Sequence, residues 1–255
     1  MVLTFILAAA IYGTLALHSL RLKDTVLIEV AAACVNRLLP SGLGGLGLHG
    51  LYLYRRRHTP AEATAVVSVN NLLGMFAHLL LLALALGFRP ELLKAFLGHR
   101  LPGLSVWLLG GVVLIAVAGL LAPVVRRQVA LFAVHVLESL RRLRAAALLR
   151  AFVLAMLLTI SYTLLLWASA RSIGVSIGVL KTFIVFSLGM LTSTVTPTPG
   201  GLVGAEAGLY AGLVAYDVAA VPAGATVLLY RLASYWLPLL GGAVALPLAK
   251  RRKLL

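Results

Sequence analysis

The chain has 255 residues, of which 62% are hydrophobic and 11% charged, and its mean hydropathy is +1.05. This composition excludes an aqueous globular domain and describes a polytopic membrane protein, since apolar runs of spanning length recur along it. A net charge of +15 would suit nucleic acid if it covered one soluble face. Here the basic residues fall in short clusters between apolar segments, so no nucleic-acid partner is expected and positive-inside topology accounts for them. The lone Cys34 excludes an intramolecular disulfide and a zinc site built on cysteines.

Residues 2–17 form the first apolar run. No positive segment precedes it and Arg21 and Lys23 follow it, so it reads as a short spanning helix rather than a signal peptide. Residues 25–39 are apolar but too short for a comfortable crossing, and they end in Leu39, Pro40, Ser41 and Gly42, with Gly44, Gly45 and Gly47 close behind. A second half-length run, 48–54, reaches Arg55, Arg56 and Arg57. Two short arms joined by a Pro/Gly break with positive charge at both ends predict a hairpin that enters from the cytoplasm and returns. Two very short full spans are the alternative.

Residues 61–88 are long enough to cross with tilt, and 104–122 cross back after a loop with few charges. From 124 to 150 an apolar stripe at helical spacing opposes Arg126, Arg127, Arg141, Arg142 and Arg144, which predicts an amphipathic helix on the cytoplasmic leaflet. Residues 151–170 cross again. The stretch 192–216, TSTVTPTPGGLVGAEAGLYAGLVAY, then interrupts what should be membrane helix. Pro197 and Pro199 remove backbone donors, and Gly200 and Gly201 free the chain to turn. Irregular backbone at membrane depth survives only where protein or a watery cavity surrounds it, so this second hairpin predicts a polar interior. Residues 223–248 form the last span, and Lys250 to Lys253 place the C-terminus in the cytoplasm.

With this topology fifteen basic residues are cytoplasmic and five lie outside, leaving Arg37 and Arg231 at membrane depth. The expected fold is an all-α bundle of about five spanning helices plus two broken or re-entrant hairpins. The two hairpins are weakly alike: at a shift of 158 positions Gly42, Gly50, Leu51 and Tyr52 meet Gly200, Gly208, Leu209 and Tyr210. Hairpins entering from opposite sides predict an inverted repeat, with repeat 1 near 25–122 and repeat 2 near 151–249, in one membrane domain.

The segments 194–213 and 227–242, TPTPGGLVGAEAGLYAGLVA and VLLYRLASYWLPLLGG, closely resemble the second signature of the lysylphosphatidylglycerol synthase transmembrane-region family. Residues 36–60 resemble its first signature more loosely. The resemblance implies a short stand-alone member of a flippase-like family, in a bacterial or archaeal plasma membrane, that handles lipids or lipid-linked intermediates. The matching positions are Pro197, Pro199, Gly200, Gly201, Glu206, Tyr230, Arg231, Trp236 and Pro238. One departure stands out: relatives carry a charged residue, often arginine, in the helix after the first signature, where this chain has Asn70 and Asn71.

Arg231 is costly at its depth without a partner, by roughly 2.5 kcal/mol or more on insertion scales, and Glu206 is the partner expected. The pair is either a structural clamp or a guanidinium presented to a lipid phosphate. Arg37 is the corresponding candidate in the first half, and Asn70 and Asn71 either line the cavity or join helices. His78 reads as packing, and the other histidines make no metal spacing. The chain has no P-loop and no clustered acid pair, so neither an enzyme nor a cofactor is expected. Translocation of a phospholipid or a lipid-linked anionic intermediate is the leading reading; a non-catalytic membrane partner of a separate glycosyltransferase or aminoacyl-lipid synthase is the alternative. Homo-oligomers are compatible with both. The topology predicts that cysteines at Arg56 and Asp217 label from opposite sides of the membrane, and labelling of both from one side would sink the inverted arrangement.

Overall fold

The fold is organised by two helical hairpins and one long helix that touches both. The computed structural model describes residues 1–38, 43–92, 144–196 and 198–255, which form eight helices: α1 (Val2–Leu15), α2 (Leu22–Leu38), α3 (Leu43–Arg55), α4 (Pro60–Phe88), α5 (Ala145–Ser172), α6 (Val179–Val195), α7 (Gly204–Val214) and α8 (Ala220–Arg251). Pro40, Ser41 and Gly42 of the first break, Pro197 of the second, the expected span 104–122 and residues 124–143 of the expected amphipathic helix lie outside the described residues.

Length sorts these elements. Among the described residues α4, α5 and α8 are long and apolar enough to cross a membrane; at 1.5 Å per residue the shortest of them reaches about 42 Å against a hydrocarbon core of about 30 Å. The hairpin arms are shorter. α2 and α6 have 17 residues each, or about 26 Å, while α3 and α7 have 13 and 11. α1 stops at Leu15 after 14 residues, short of the span expected over 2–17. Its chain end is held by the loop beyond, where the Leu17 and His18 amides donate to His58.

Three further features differ from the sequence reading. Gly44, Gly45 and Gly47 are not in the first break but inside α3, because packing outweighs their poor helix propensity. A Cβ on Gly44 would stand 2.6 Å from the Val35 carbonyl oxygen, so the two arms of the hairpin approach backbone to backbone there. α5 begins at Ala145 and runs unbroken to Ser172, so the expected boundary at residue 150 does not exist. In α8 a single π turn, Leu232–Trp236, interrupts the regular ladder. α4, by contrast, starts as expected: Thr59 caps it and Glu62 returns the bond, a reciprocal capping box followed by Pro60.

Small residues bring the helices together, as expected where lipid gives apolar side chains no reason to leave it. Gly204, Gly208 and Gly212 recur every fourth residue on the α7 face that meets α6, opposite Thr196, Thr192 and Val185. Gly242 does the same for α8 against α2, whereas Gly241 meets only a Val30 methyl at 3.7 Å. The C-terminal half of α8 thus lies along α2 and its N-terminal half along α5 and α7.

Among the described residues the basic clusters gather at one end. Leu254 and Leu255 pack with Leu20, Ile28 and Tyr52, Arg56 pairs with Asp24 at 2.9 Å, and Ala151 near the start of α5 packs with Leu15 and Leu53. At the other end the Tyr216 hydroxyl donates to the Leu92 carbonyl at 3.0 Å, and Lys181 lies over the Tyr216 ring. The first hairpin has its open end among the basic clusters, the second at the opposite end.

His58 joins the loops at the basic end. Nε2 faces two backbone amides, Leu17 at 3.1 Å and His18 at 3.4 Å, so it carries the lone pair, and Nδ1 donates to the Leu53 carbonyl. Burial, with the neighbouring His18, holds this imidazole below its ordinary value. The unfolded chain therefore binds the proton first as pH falls, and the stability His58 contributes is complete above about pH 6.5 and lost as acid reaches the lower folded value. Thermal melting in detergent should drop between pH 7.5 and 5.5, and less so in His58→Gln, which keeps an acceptor that cannot be protonated. A second prediction concerns the α2–α8 crossing: Gly242→Leu should destabilise by about 1–3 kcal/mol through overpacking, while Gly241→Ala melts near wild type.

Candidate functional site

Pro238 sets the site up. A proline inside a helix donates no amide hydrogen and its ring crowds the carbonyl four residues earlier, which here is Ser234. α8 answers with the π turn, in which the Leu237 amide reaches back to the Leu232 carbonyl. The Ser234 carbonyl is left to a partner outside the helix. Arg37, at the end of α2, takes it: Nη2 donates to Ser234 O at 2.6 Å and Nη1 to Ala33 O at 2.5 Å. The guanidinium also lies 5.2 Å from the centroid of the Tyr235 ring, whose hydroxyl is 3.4 Å from the Arg37 carbonyl.

Arg231 begins the same π turn from the other side. Its Nε donates to Glu206 Oε1 at 2.5 Å and its guanidinium carbon stands 4.4 Å from the Tyr235 ring centroid. Glu206 occupies the first turn of α7, where the helix N-terminus favours a carboxylate. Arg231 is 11% exposed and Glu206 29%. The expected pair is therefore present, and Tyr235 places it beside a second arginine.

The second break supplies the remaining wall. Gly200 and Gly201 have φ of +58° and +66°, in the left-handed region that favours glycine. A side chain at Gly200 would also collide, since its Cβ would be 2.7 Å from a Tyr235 ring carbon and 3.1 Å from the Arg37 Cα. At Gly201 the obstacle is Ser193. The end of α2 and the turn before α7, whose hairpins open at opposite ends of the bundle, thus meet at Arg37 and Gly200. Val203, the residue before α7, has φ of +70°, a strained setting for a β-branched side chain. Pro199 is exposed beside this turn, and Pro197 lies outside the described residues.

Three charged-group atoms at this meeting point are buried without a hydrogen-bond partner: Arg37 Nε, Arg231 Nη2 and Glu206 Oε2. Arg231 pairs with Glu206 while Arg37 is held by two backbone carbonyls, so two guanidinium groups stand here with one carboxylate and each keeps a donor to spare. The arrangement can bind an anion with fork geometry.

Of the other residues singled out in the sequence, Tyr230 is buried next to the site: its ring packs in the core with Leu166, Phe186 and Val227, and its hydroxyl is near Ser234 and the two arginines. Asn70 donates toward the Tyr12 hydroxyl at 3.5 Å, which joins α4 to α1 rather than to Arg231. Asn71 is exposed on α4. His78 packs beside Phe183 and Phe186, as expected. Among the described residues no three His, Cys, Asp or Glu side chains are grouped to hold a metal ion.

A second polar cluster was not anticipated. Glu29 on α2 meets His49 on α3 at 3.0 Å, both nearly buried. Their separation in sequence hides the contact, and the available signal was that one arm of the predicted hairpin carries an acidic residue and the other a histidine inside apolar sequence.

Comparison with known proteins bears on the whole chain. No match was found among curated proteins or among solved structures. The family described as Lysylphosphatidylglycerol synthase TM region matches residues 1–242, a span that includes both hairpins, Arg37, Glu206 and Arg231. The chain is a membrane protein that belongs to the lysylphosphatidylglycerol synthase TM region family.

Proposed function

We propose that the protein translocates an anionic phospholipid or lipid-linked intermediate across the plasma membrane, with its C-terminus in the cytoplasm and its two hairpins as the halves of an inverted repeat. The observation that carries this reading is the pair of arginines, Arg37 and Arg231, gathered at the Tyr235 ring, with the one carboxylate, Glu206, paired to Arg231 and Arg37 held by backbone carbonyls. Guanidinium groups are the side chains best shaped for phosphate oxygens, and buried donors without partners favour a ligand that supplies acceptors. A site built only to clamp helices would be expected to balance its charges.

In this reading Glu206 holds Arg231 while the site is empty and yields it to a headgroup phosphate. Parting of the tips at Gly200 and Arg37 then admits the headgroup, while the acyl chains stay in lipid. The open ends of the hairpins lie at opposite ends of the bundle, so separating one tip or the other would expose the arginines to one leaflet or the other.

Lipid exchange in vesicles separates this function from a structural clamp. With a labelled anionic phospholipid, Arg231→Lys should lower leaflet exchange by about tenfold or more, as loss of a charge-assisted hydrogen bond implies, while melting stays near wild type. Glu206→Gln should bind the lipid more tightly and turn over more slowly. Should Arg231→Lys, Arg231→Ala and Glu206→Gln lose stability and exchange in proportion, the pair is a clamp and the reading fails.

A further inference from the structure

The Glu29–His49 contact holds a proton by geometry. His49 Nδ1 lies 2.7 Å from the Gly45 carbonyl oxygen and Nε2 lies 3.0 Å from Glu29 Oε1. A carbonyl oxygen accepts only, and so does an ionised carboxylate. A neutral imidazole has a single N–H, so beside ionised Glu29 one ring nitrogen would turn its lone pair on an oxygen in either tautomer. Adding one proton removes the conflict. It gives either imidazolium beside carboxylate or imidazole beside carboxylic acid, two forms with the same proton number and no net charge.

The surroundings favour keeping that proton. The Tyr12 ring stacks on the imidazole at 4.4 Å with planes 4° apart, a face that suits a cation. From α5, Tyr162 is the titratable group that feels Glu29, and Asn70 of α4 reaches the cluster only through Tyr12. The α8 face against α2 offers Gly241 and Gly242. Among the described residues no lysine or arginine pairs with Glu29 to stabilise a lone carboxylate there.

We propose that Glu29 and His49 form a proton-binding couple that ties the two arms of the first hairpin, so that releasing the proton to water lets the arms part. Release leaves neutral imidazole and carboxylate, a net negative charge in a nearly buried place, and this charge is relieved only when water enters between α2 and α3. Glu29 lies eight residues before Arg37, about 12 Å along α2. Parting of the arms therefore moves the arginine that holds the Ser234 carbonyl. The proton site stands on its own geometry; its consequence for transport rests on the lipid reading above.

The test uses the full chain in lipid nanodiscs, with Cys34→Ser and spin labels on Leu38→Cys and Leu46→Cys, both exposed positions on the two arms. Distances between the labels are measured from pH 5 to 10. In wild type a longer component should grow as pH rises, by up to about tenfold per pH unit in the ratio of the two populations, the limit for one proton. In Glu29→Gln, whose amide donates to Nε2 and has no proton to release, the short distance should persist throughout. Glu29→Gln combined with His49→Gln, which has neither titratable group, serves the same purpose if that variant fails to fold. A distance independent of pH in wild type, or an equal shift in the variants, overturns the proposal. Exchange of an anionic phospholipid by vesicles containing the same proteins distinguishes the two readings: a distance shift without exchange at any pH upholds the proton couple and defeats the lipid reading.

Discussion

The structure depends on one unpaired carbonyl. Pro238 denies Ser234 O its usual partner within α8, and in a membrane interior water is not there to replace it. Arg37 satisfies that oxygen from the end of α2. A backbone defect in one helix is thereby matched to the side chain that the other half of the protein could least easily leave alone, since a guanidinium at that depth also demands acceptors. The two liabilities cancel. The contact joins the first hairpin to the last helix and fixes where the second arginine, Arg231, can stand.

Around this contact the packing follows from the solvent. Between helices in lipid there is little gain from burying leucine against leucine, so close approach and polar contacts must supply the specificity. The glycine ladder on α7, Gly44 on α3 and Gly242 on α8 let backbones meet backbones, and the threonines of α6 return their hydroxyls to carbonyls one turn back. Large side chains such as Leu228, Leu240 and Val244 are left facing outward, where hydrocarbon is their natural neighbour. The helix crossings are accordingly built on small residues, while large apolar side chains are shared between the interior and the outer face.

Much of this was legible in the sequence, for reasons that can be traced. The half-length arms and their Pro/Gly breaks announced two hairpins, and the depth of Arg231 demanded a carboxylate, which Glu206 supplies at 2.5 Å. The glycines of α3 misled, because glycine suits both a turn and a tight helix crossing and only the neighbour decides. The π turn was hidden although Pro238 was in view, since its effect falls on the carbonyl of a residue four places earlier. Arg37 could be placed at the first break but not against Ser234, because that bond spans 197 positions. The Glu29–His49 contact, across the arms of one hairpin, depends on a helical register that spacing alone does not give.

The π turn has a mechanical meaning as well. The two halves of α8 serve different hairpins, the N-terminal half lying on α7 and the C-terminal half on α2. A helix resists bending where its ladder of hydrogen bonds is complete and gives way where the ladder is broken, which in α8 is at Leu232–Trp236. If one hairpin swings while the other stays, α8 must flex at that hinge. The hinge contains Tyr235, follows directly on Arg231 and is gripped by Arg37 through the Ser234 carbonyl, so the weakest point of the helix and the meeting place of the two arginines coincide.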